Sequence, residues 1–452
     1  YVPVNSISQI SPYIGAKDIP LDSLSKKKWS EKSQKSKLKA FDIASEILEA
    51  EAKRNLEASQ KVSLDTNEYE KFCDTFRFTE TPDQERVIKE VIADLLSEKP
   101  QDRLICGEVG FGKTEVALRA SFIVAQNDYQ VCILAPTTVL AKQHFEVFKE
   151  RFSEFPYRIC LLTREQTKTE KAEIYKKIKE NYFSIIIGTH ALFNKEISFK
   201  SLNLLIIDEE HKFGVRQKEQ IRSLKNGINV ISLSATPIPR TLNLSLSKVR
   251  DISLITTPPT GRKSVKTIVS RYSKSLVFEA IQREFYRDGQ VFYLLNNVSM
   301  LEEKKKEISE RFPGKKIAFA HGQLRPKELS KVMESFIRKE IDLLVCTTII
   351  ESGIDIENAN TLIVEESENY GLSQLHQIRG RVGRSKREAY AYFLLNENKE
   401  LKNKASERIN ALQENESLLS GFSLAMRDLE IRGAGELLGE KQSGPIDVVG
   451  LT

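Results

Sequence analysis

The 452-residue sequence predicts an α/β protein of two parallel-sheet lobes in tandem. Three observations carry this expectation. Short β-branched runs, apolar throughout, alternate with helical stretches, as in a parallel sheet covered on both faces. The alternation occurs twice, on either side of Thr257-Pro258-Pro259-Thr260-Gly261. In the first series one strand–helix junction reads GEVGFGKT, Gly107 to Thr114, and fits the phosphate-binding pattern G-x-x-x-x-G-K-[ST].

Bulk properties narrow the class. At about 150 residues per domain the length suggests about three units. Hydrophobic residues make up 40% and charged residues 29%, as in a soluble globular protein. No apolar run is long enough to span a bilayer and no signal peptide opens the chain, so a cytoplasmic location and no membrane partner are expected. The chain opens at Tyr1 and stops at Thr452 with no end signal, as expected of a piece of a larger protein. Net charge +6 permits nucleic-acid binding without demanding it. Cys73, Cys106, Cys132, Cys160 and Cys346 show no C-x-x-C spacing, and all but Cys73 sit in strand-like runs. Reduced, buried thiols are expected rather than a disulfide framework or zinc site. A monomer is expected.

Along the chain, residues 1–25 hold YVPV, readable as an edge strand, and then a loop. Leu38, Phe41, Ala44, Ile47 and Leu48 recur at helical spacing, so a long connecting helix is expected within 26–62. Its lysines, Lys26 to Lys39, read as a solvated face or a nucleic-acid contact. The first lobe spans 63–257, with strands expected at Leu104–Cys106, Val131–Ala135, Ile159–Leu162, Ile185–Ile187, Leu204–Ile207 and Val230–Leu233. The proline-rich segment is a linker. The second lobe, 258–401, has strands expected at Gln290–Leu295, Lys316–Ala320, Asp342–Cys346, Thr361–Val364 and Ala389–Leu395. Residues 402–452 begin helical and end glycine-rich.

The strand–loop–helix context gives Gly107, Glu108, Val109, Gly110, Phe111, Gly112, Lys113 and Thr114 a mechanical reading. Backbone N–H groups and the helix N-terminus cradle phosphate oxygens. Lys113 reaches the β/γ-phosphates and Thr114 holds Mg²⁺, so ATP and Mg²⁺ are the expected cofactors. Leu204–Ile207 runs into Asp208-Glu209-Glu210-His211, at the strand end where α/β sheets bind ligands. Asp208 is expected to hold Mg²⁺ and Glu209 to act as general base on water. His211 would couple this site to the neighbouring strand, whose tip carries Ser234-Ala235-Thr236-Pro237. Ser234 and Thr236 would relay the γ-phosphate state. Gln84 in Thr81-Pro82-Asp83-Gln84 offers an amide for adenine, with Phe78 stacking; the same residues also make a good helix start.

Thr137 and Thr138, Thr189 and His190, and Thr347 and Thr348 end three strands and suit phosphodiester contacts. Asp355, after Gly353, is placed at the nucleotide ribose, and Gln377 at the nucleotide. Arg381 and Arg384, three apart, share a helix face. From the second lobe they would point at the γ-phosphate, so hydrolysis would require closed lobes.

TPDQ, GFGKT, PTT, GTH, DEEH, SATP, TTIIESGIDI and QIRGRVGR stand in this order from Thr81 to Arg384, and the set resembles the superfamily 2 helicases. IGTHALF, IDEEHKFGVRQKE, SATPIPRTLNLSL and QLHQIRGRVGRS are similar to the branch holding RecG and the bacterial transcription-repair coupling factors. The resemblance covers essentially the whole chain. It implies two RecA-like lobes, an N-terminal helical linker, and a C-terminal helical-hairpin and loop translocation motif in LEIRGAGELLGEKQSG, with Arg432 and Gln442 as working residues. Arg240, in SATPIPR, joins the expected DNA contacts. It further implies ATP-driven translocation on double-stranded DNA and displacement of stalled RNA polymerase. Residues 1–25 resemble the end of a polymerase-interacting domain. In the family, modules not represented here recruit the excision-repair machinery. A RecG-like junction remodeller and a nucleotide-gated polymerase clamp stay open as alternatives.

Overall fold

A computed structural model describes residues 60–214, 217, 220–221, 227–235, 250–348, 353–383 and 387–397. All of these fall in one compact unit, Lys53–Thr452. The expected N-terminal helix up to residue 59 and the translocation motif lie outside the described residues, as do Thr236, Arg240, Arg384, Arg432 and Gln442.

The first series folds into seven parallel strands: β1 (Asp102–Gly107), β2 (Gln130–Leu134), β3 (Ile159–Leu162), β4 (Ile185–Gly188), β5 (Leu202–Asp208), β6 (Asn229–Ser234) and β7 (Asp251–Ile255). Their order is β3-β4-β2-β5-β6-β1-β7. Helices α1 (Thr66–Asp74), α2 (Pro82–Leu95), α3 (Lys113–Gln126), α4 (Thr138–Arg151) and α5 (Lys168–Lys179) belong to this lobe. The second series gives β8 (Val265–Arg271), β9 (Gln290–Leu294), β10 (Ile317–Ala320), β11 (Leu343–Cys346), β12 (Ala359–Val364) and β13 (Ala389–Leu395), ordered β10-β11-β9-β12-β13-β8 and also parallel. Helices α6 (Lys274–Tyr286), α7 (Leu301–Arg311), α8 (Pro326–Ile337) and α9 (Leu372–Arg379) complete it.

The uninterrupted apolar runs have a direct cause. Successive strand residues face opposite sides of a sheet. In β5, Leu204 and Ile206 enter one apolar cluster, and Leu205 and Ile207 enter the other. In β9, Phe292 and Leu294 face one cluster while Val291 and Tyr293 face the other. Both faces are covered by helices, so the central positions of these strands are apolar. Each fully buried Ile or Leu contributes about 1.5–3 kcal/mol.

Two strands escaped the sequence reading. β7 and β8 are the outer strands at one edge of each sheet, and both flank the linker. Their segments, DISLI and VKTIVSR, mix polar and apolar residues because one side of each is partly exposed. The linker itself is tied down. Asp83, at the start of α2, accepts from the backbone N–H groups of Thr256 (2.8 Å) and Thr257 (2.9 Å) and from both hydroxyls. Burial opposes ionisation of Asp83, but these bonds and Arg86 outweigh it and hold the carboxyl well below its usual range.

None of the five cysteines is in a disulfide. Burial pushes the Cys106 thiol up to about 11 and that of Cys132 up to about 12. Cys160 and Cys346 are raised by the same cause. A thiolate reagent is therefore expected to label only half-buried Cys73 in the native protein, with the other four reacting after denaturation. Mass spectrometry after alkylation reads this out. Native labelling of Cys346 would contradict the packing described here.

Candidate active site

The phosphate loop runs from the end of β1 into α3. Gly110 (φ +79°) and Gly112 (φ +82°) take left-handed conformations that favour glycine. At Gly112 a Cβ would also displace the Gln84 amide, lying 2.2 Å from its Nε2. That amide donates to the Phe111 carbonyl at 2.8 Å, and Gln84 Oε1 accepts from the Thr81 N–H at 2.9 Å in a capping box. Both ends of the buried Gln84 amide are thus spent on the protein. In this arrangement the amide braces α2 against the loop. Phe78 is 73% exposed and edge-on to Phe76, open to stacking. Gly112→Ala is expected to lower nucleotide affinity about tenfold, since left-handed alanine alone costs about 1–2 kcal/mol. Titration with a fluorescent nucleotide checks it; unchanged affinity would mean that the loop tolerates a Cβ there.

Lys113 Nζ folds onto the loop, donating to the carbonyls of Gly107 (2.6 Å) and Glu108 (3.0 Å). Burial lowers its pKa, the charges of Glu209 and Asp208 oppose that, and Arg381 adds to it. Thr114 sits half-buried in the first turn of α3. Asp208 ends β5 with Oδ2 2.8 Å from His144 Nε2. Glu209 has φ +50° and is held by its N–H to the Leu233 carbonyl at 2.9 Å. Its Oε2 lies 3.4 Å from the Ala235 N–H and 3.4 Å from His211 Nδ1. Burial raises the Glu209 pKa, and the neighbouring Asp208 charge raises it further, against Lys113 and Arg381.

Arg381 belongs to the second lobe, yet its charge acts on both Lys113 and Glu209 in the first. It is 2% exposed. The turn that carries it rests on the loop: a Cβ on Gly380 would sit 3.6 Å from Val109 Cβ. His376, on α9, lies 3.8 Å from Glu108. Burial and the charges of Arg379 and Arg262 hold the His376 pKa down to about 3, so this is a neutral contact and not an ion pair. Gln377 is half-buried on the same helix.

Residues 81–244 match the DEAD/DEAH box helicase family and residues 274–386 the helicase conserved C-terminal domain. The chain is 46% identical, over its whole length, to the transcription-repair-coupling factor of Escherichia coli K12, and 47% identical to that of Buchnera aphidicola. The chain belongs to the superfamily 2 helicases, on the branch of the transcription-repair coupling factors. It spans 40% of the length of the Escherichia coli relative and 65% of the Buchnera one. Among solved structures, RecG bound to a three-way DNA junction superposes with a TM-score of 0.71 at 34% identity, over 85% of this chain and 51% of that one. As a superfamily 2 member the chain is an ATP hydrolase built on two RecA-like lobes.

The residues expected along the nucleic-acid track in this helicase fold are placed unevenly. Thr137 caps α4, accepting from the Leu140 N–H at 3.3 Å, and Thr138 opens that helix, half-buried. Thr347 and Thr348 are half-buried beyond β11. Thr189 is 2% exposed, with its hydroxyl buried, where Gly188 brings the end of β4 close to β3. A Cβ on Gly188 would meet the Leu162 carbonyl at 2.3 Å. His190 instead lines a cavity of about 440 Å³ with Arg164, Lys171 and Tyr175. Burial, then the Arg164 charge, lowers the His190 pKa.

Other residues around the site are held by partners distant in sequence. Glu210 ties the acidic cluster to the neighbouring strand, accepting from Ser232 Oγ at 2.9 Å and Arg250 at 3.0 Å. Ser234 is buried at the tip of β6. Arg262, in the linker, donates to the Val109 carbonyl and stacks over Phe111 at 5.3 Å. Asp355 meets α4 through its backbone, beside Gly353 (φ +72°).

Proposed function

We propose that this chain is the ATP-driven motor of a double-stranded DNA translocase. The observation that supports this most is the packing of the turn carrying buried Arg381, in the second lobe, against Val109 of the phosphate loop in the first. A site completed from two lobes couples hydrolysis to their approach, and that approach can move a bound strand.

In this reading the loop N–H groups and the N-terminus of α3 hold the phosphates, and Lys113 turns from its carbonyls to the β/γ-phosphates. Thr114 and Asp208 would hold Mg²⁺. One hydroxyl and one carboxylate suit an ion that keeps most of its waters and takes the rest of its shell from phosphate. Mg²⁺ there would neutralise charge between the β- and γ-phosphates. Glu209 takes a proton from the attacking water. Arg381, with Arg384, stabilises charge developing on the γ-phosphate.

Thr137, Thr138, His190, Thr347 and Thr348 would grip the DNA backbone, helped by Arg164 and Lys171. In the complete protein, stepping on DNA behind a stalled RNA polymerase would push it forward and open the lesion to excision repair. The relatives' name, transcription-repair-coupling factor, supports this reading, at 46–47% identity along this chain. A second reading, RecG-like junction remodelling, is favoured by the 0.71 TM-score to that enzyme on a three-way junction.

Steady-state ATPase without nucleic acid and with single-stranded DNA, duplex DNA or RNA tests the proposal. Stimulation by duplex DNA above the other three is expected. Stimulation chiefly by single strands or RNA would point to a strand-separating helicase instead.

A further inference from the structure

Helix α4 joins three parts of the molecule. It is capped by Thr137, an expected track contact. Val139 then packs into the apolar core of the second lobe, and Leu140 lies against Gly353, 3.2 Å from where a Cβ would stand. Lys142 Nζ sits 2.7 Å from Glu334 on α8 and 2.6 Å from Glu165 in its own lobe. Gln143 Nε2 donates to the Asp355 carbonyl at 3.0 Å, while the Asp355 N–H donates to Gln143 Oε1 at 2.9 Å. One amide thereby satisfies both backbone groups of a residue 212 positions away. The next side chain, buried His144, meets Asp208 at 2.8 Å. An ionised carboxylate only accepts, so His144 Nε2 carries the proton.

We propose that Gln143 and His144 are positioning residues that make the metal side of the site depend on docking of the second lobe. Gln143 fixes α4 to the Asp355 backbone. His144, one residue on, aims the Asp208 carboxylate. When the lobes part, the Gln143 bonds break, α4 loses its anchor, and His144 no longer holds Asp208 in its productive orientation. The inference rests on the reading of Asp208 as a metal ligand. Hydrogen-bond partners of metal-ligating groups commonly set metal affinity by about 10–100-fold.

The test is a Mg²⁺ titration of the 452-residue chain with saturating duplex DNA, read both by ATPase and by the fluorescence of a bound nucleotide analogue. Half-saturation does not depend on the fraction of active protein, so partial misfolding lowers the rate without moving it. His144→Leu is expected to raise the half-saturating Mg²⁺ about 10–100-fold. His144→Gln keeps a donor near the same place and should return it to within about threefold of the parent. If His144→Leu does not fold, His144→Asn, whose donor falls short of Asp208, takes its place with the same expected rise. Gln143→Leu should shift the midpoint in the same direction. The double variant Gln143→Leu/His144→Leu should be no worse than His144→Leu alone, because the residues act in series. An unmoved midpoint in His144→Leu would overturn the proposal, as would shifts that multiply in the double variant. Asp208→Asn separates the two failures: if it too leaves the midpoint unmoved, the metal-ligand reading falls; if it alone moves the midpoint, only the role of His144 falls.

Discussion

Glu209→Gln is expected to lower ATP turnover by about 10²–10⁴-fold while nucleotide still binds. The substitution keeps volume and shape, so the left-handed turn at φ +50°, anchored to the Leu233 carbonyl, should persist. It removes only the charge and the basic oxygen. The side chain is buried beside Lys113 and the approaching Arg381, where no bulk water can substitute for it. The loss should therefore fall on kcat, with KM for ATP moving little. Single-turnover hydrolysis alongside fluorescent-nucleotide binding measures both. A rate within about threefold of the parent would assign the general base to another group.

Arg381→Ala is expected to cost about 10³–10⁵ in turnover, the range for an arginine acting on a transferring phosphoryl group. The residue is buried on a turn pressed against Val109, and its charge opposes ionisation of Lys113 and favours that of Glu209. Arg381→Lys should recover only a small part, because an ammonium keeps the charge but not the planar fork. Nucleotide affinity should fall far less than turnover, since the loop residues belong to the first lobe. Equal loss of binding and turnover would instead make Arg381 a packing residue of the interlobe contact.

How far the sequence could be read follows from the range of the forces involved. The phosphate loop is local: Gly107 to Thr114 form their geometry within eight consecutive residues, so pattern and structure coincide. Ile185–Ile187 was readable as a strand because burial on both faces demands three apolar residues in a row. β7 and β8 were not, because an edge strand with one wet side mixes polar and apolar residues as a loop does. Gln84 was half legible. Its capping bond to Thr81 is local, but its bond to Phe111 reaches 27 residues along the chain. Gln143, Arg250 and Arg262 had no signal at all, and Glu210 showed only as part of the acidic cluster, since each works through partners brought together only by packing. The burial of Thr189 was not legible, because a hydroxyl at a strand end reads the same whether it points outward or inward.

Displacement of a third DNA strand from a triplex tests translocation most directly. The 452-residue chain, given ATP and duplex DNA carrying the triplex, should release the third strand without separating the duplex beneath it. Glu209→Gln should release none. Duplex-stimulated ATPase with no triplex release, or separation of the duplex strands themselves, would contradict a double-stranded DNA translocase.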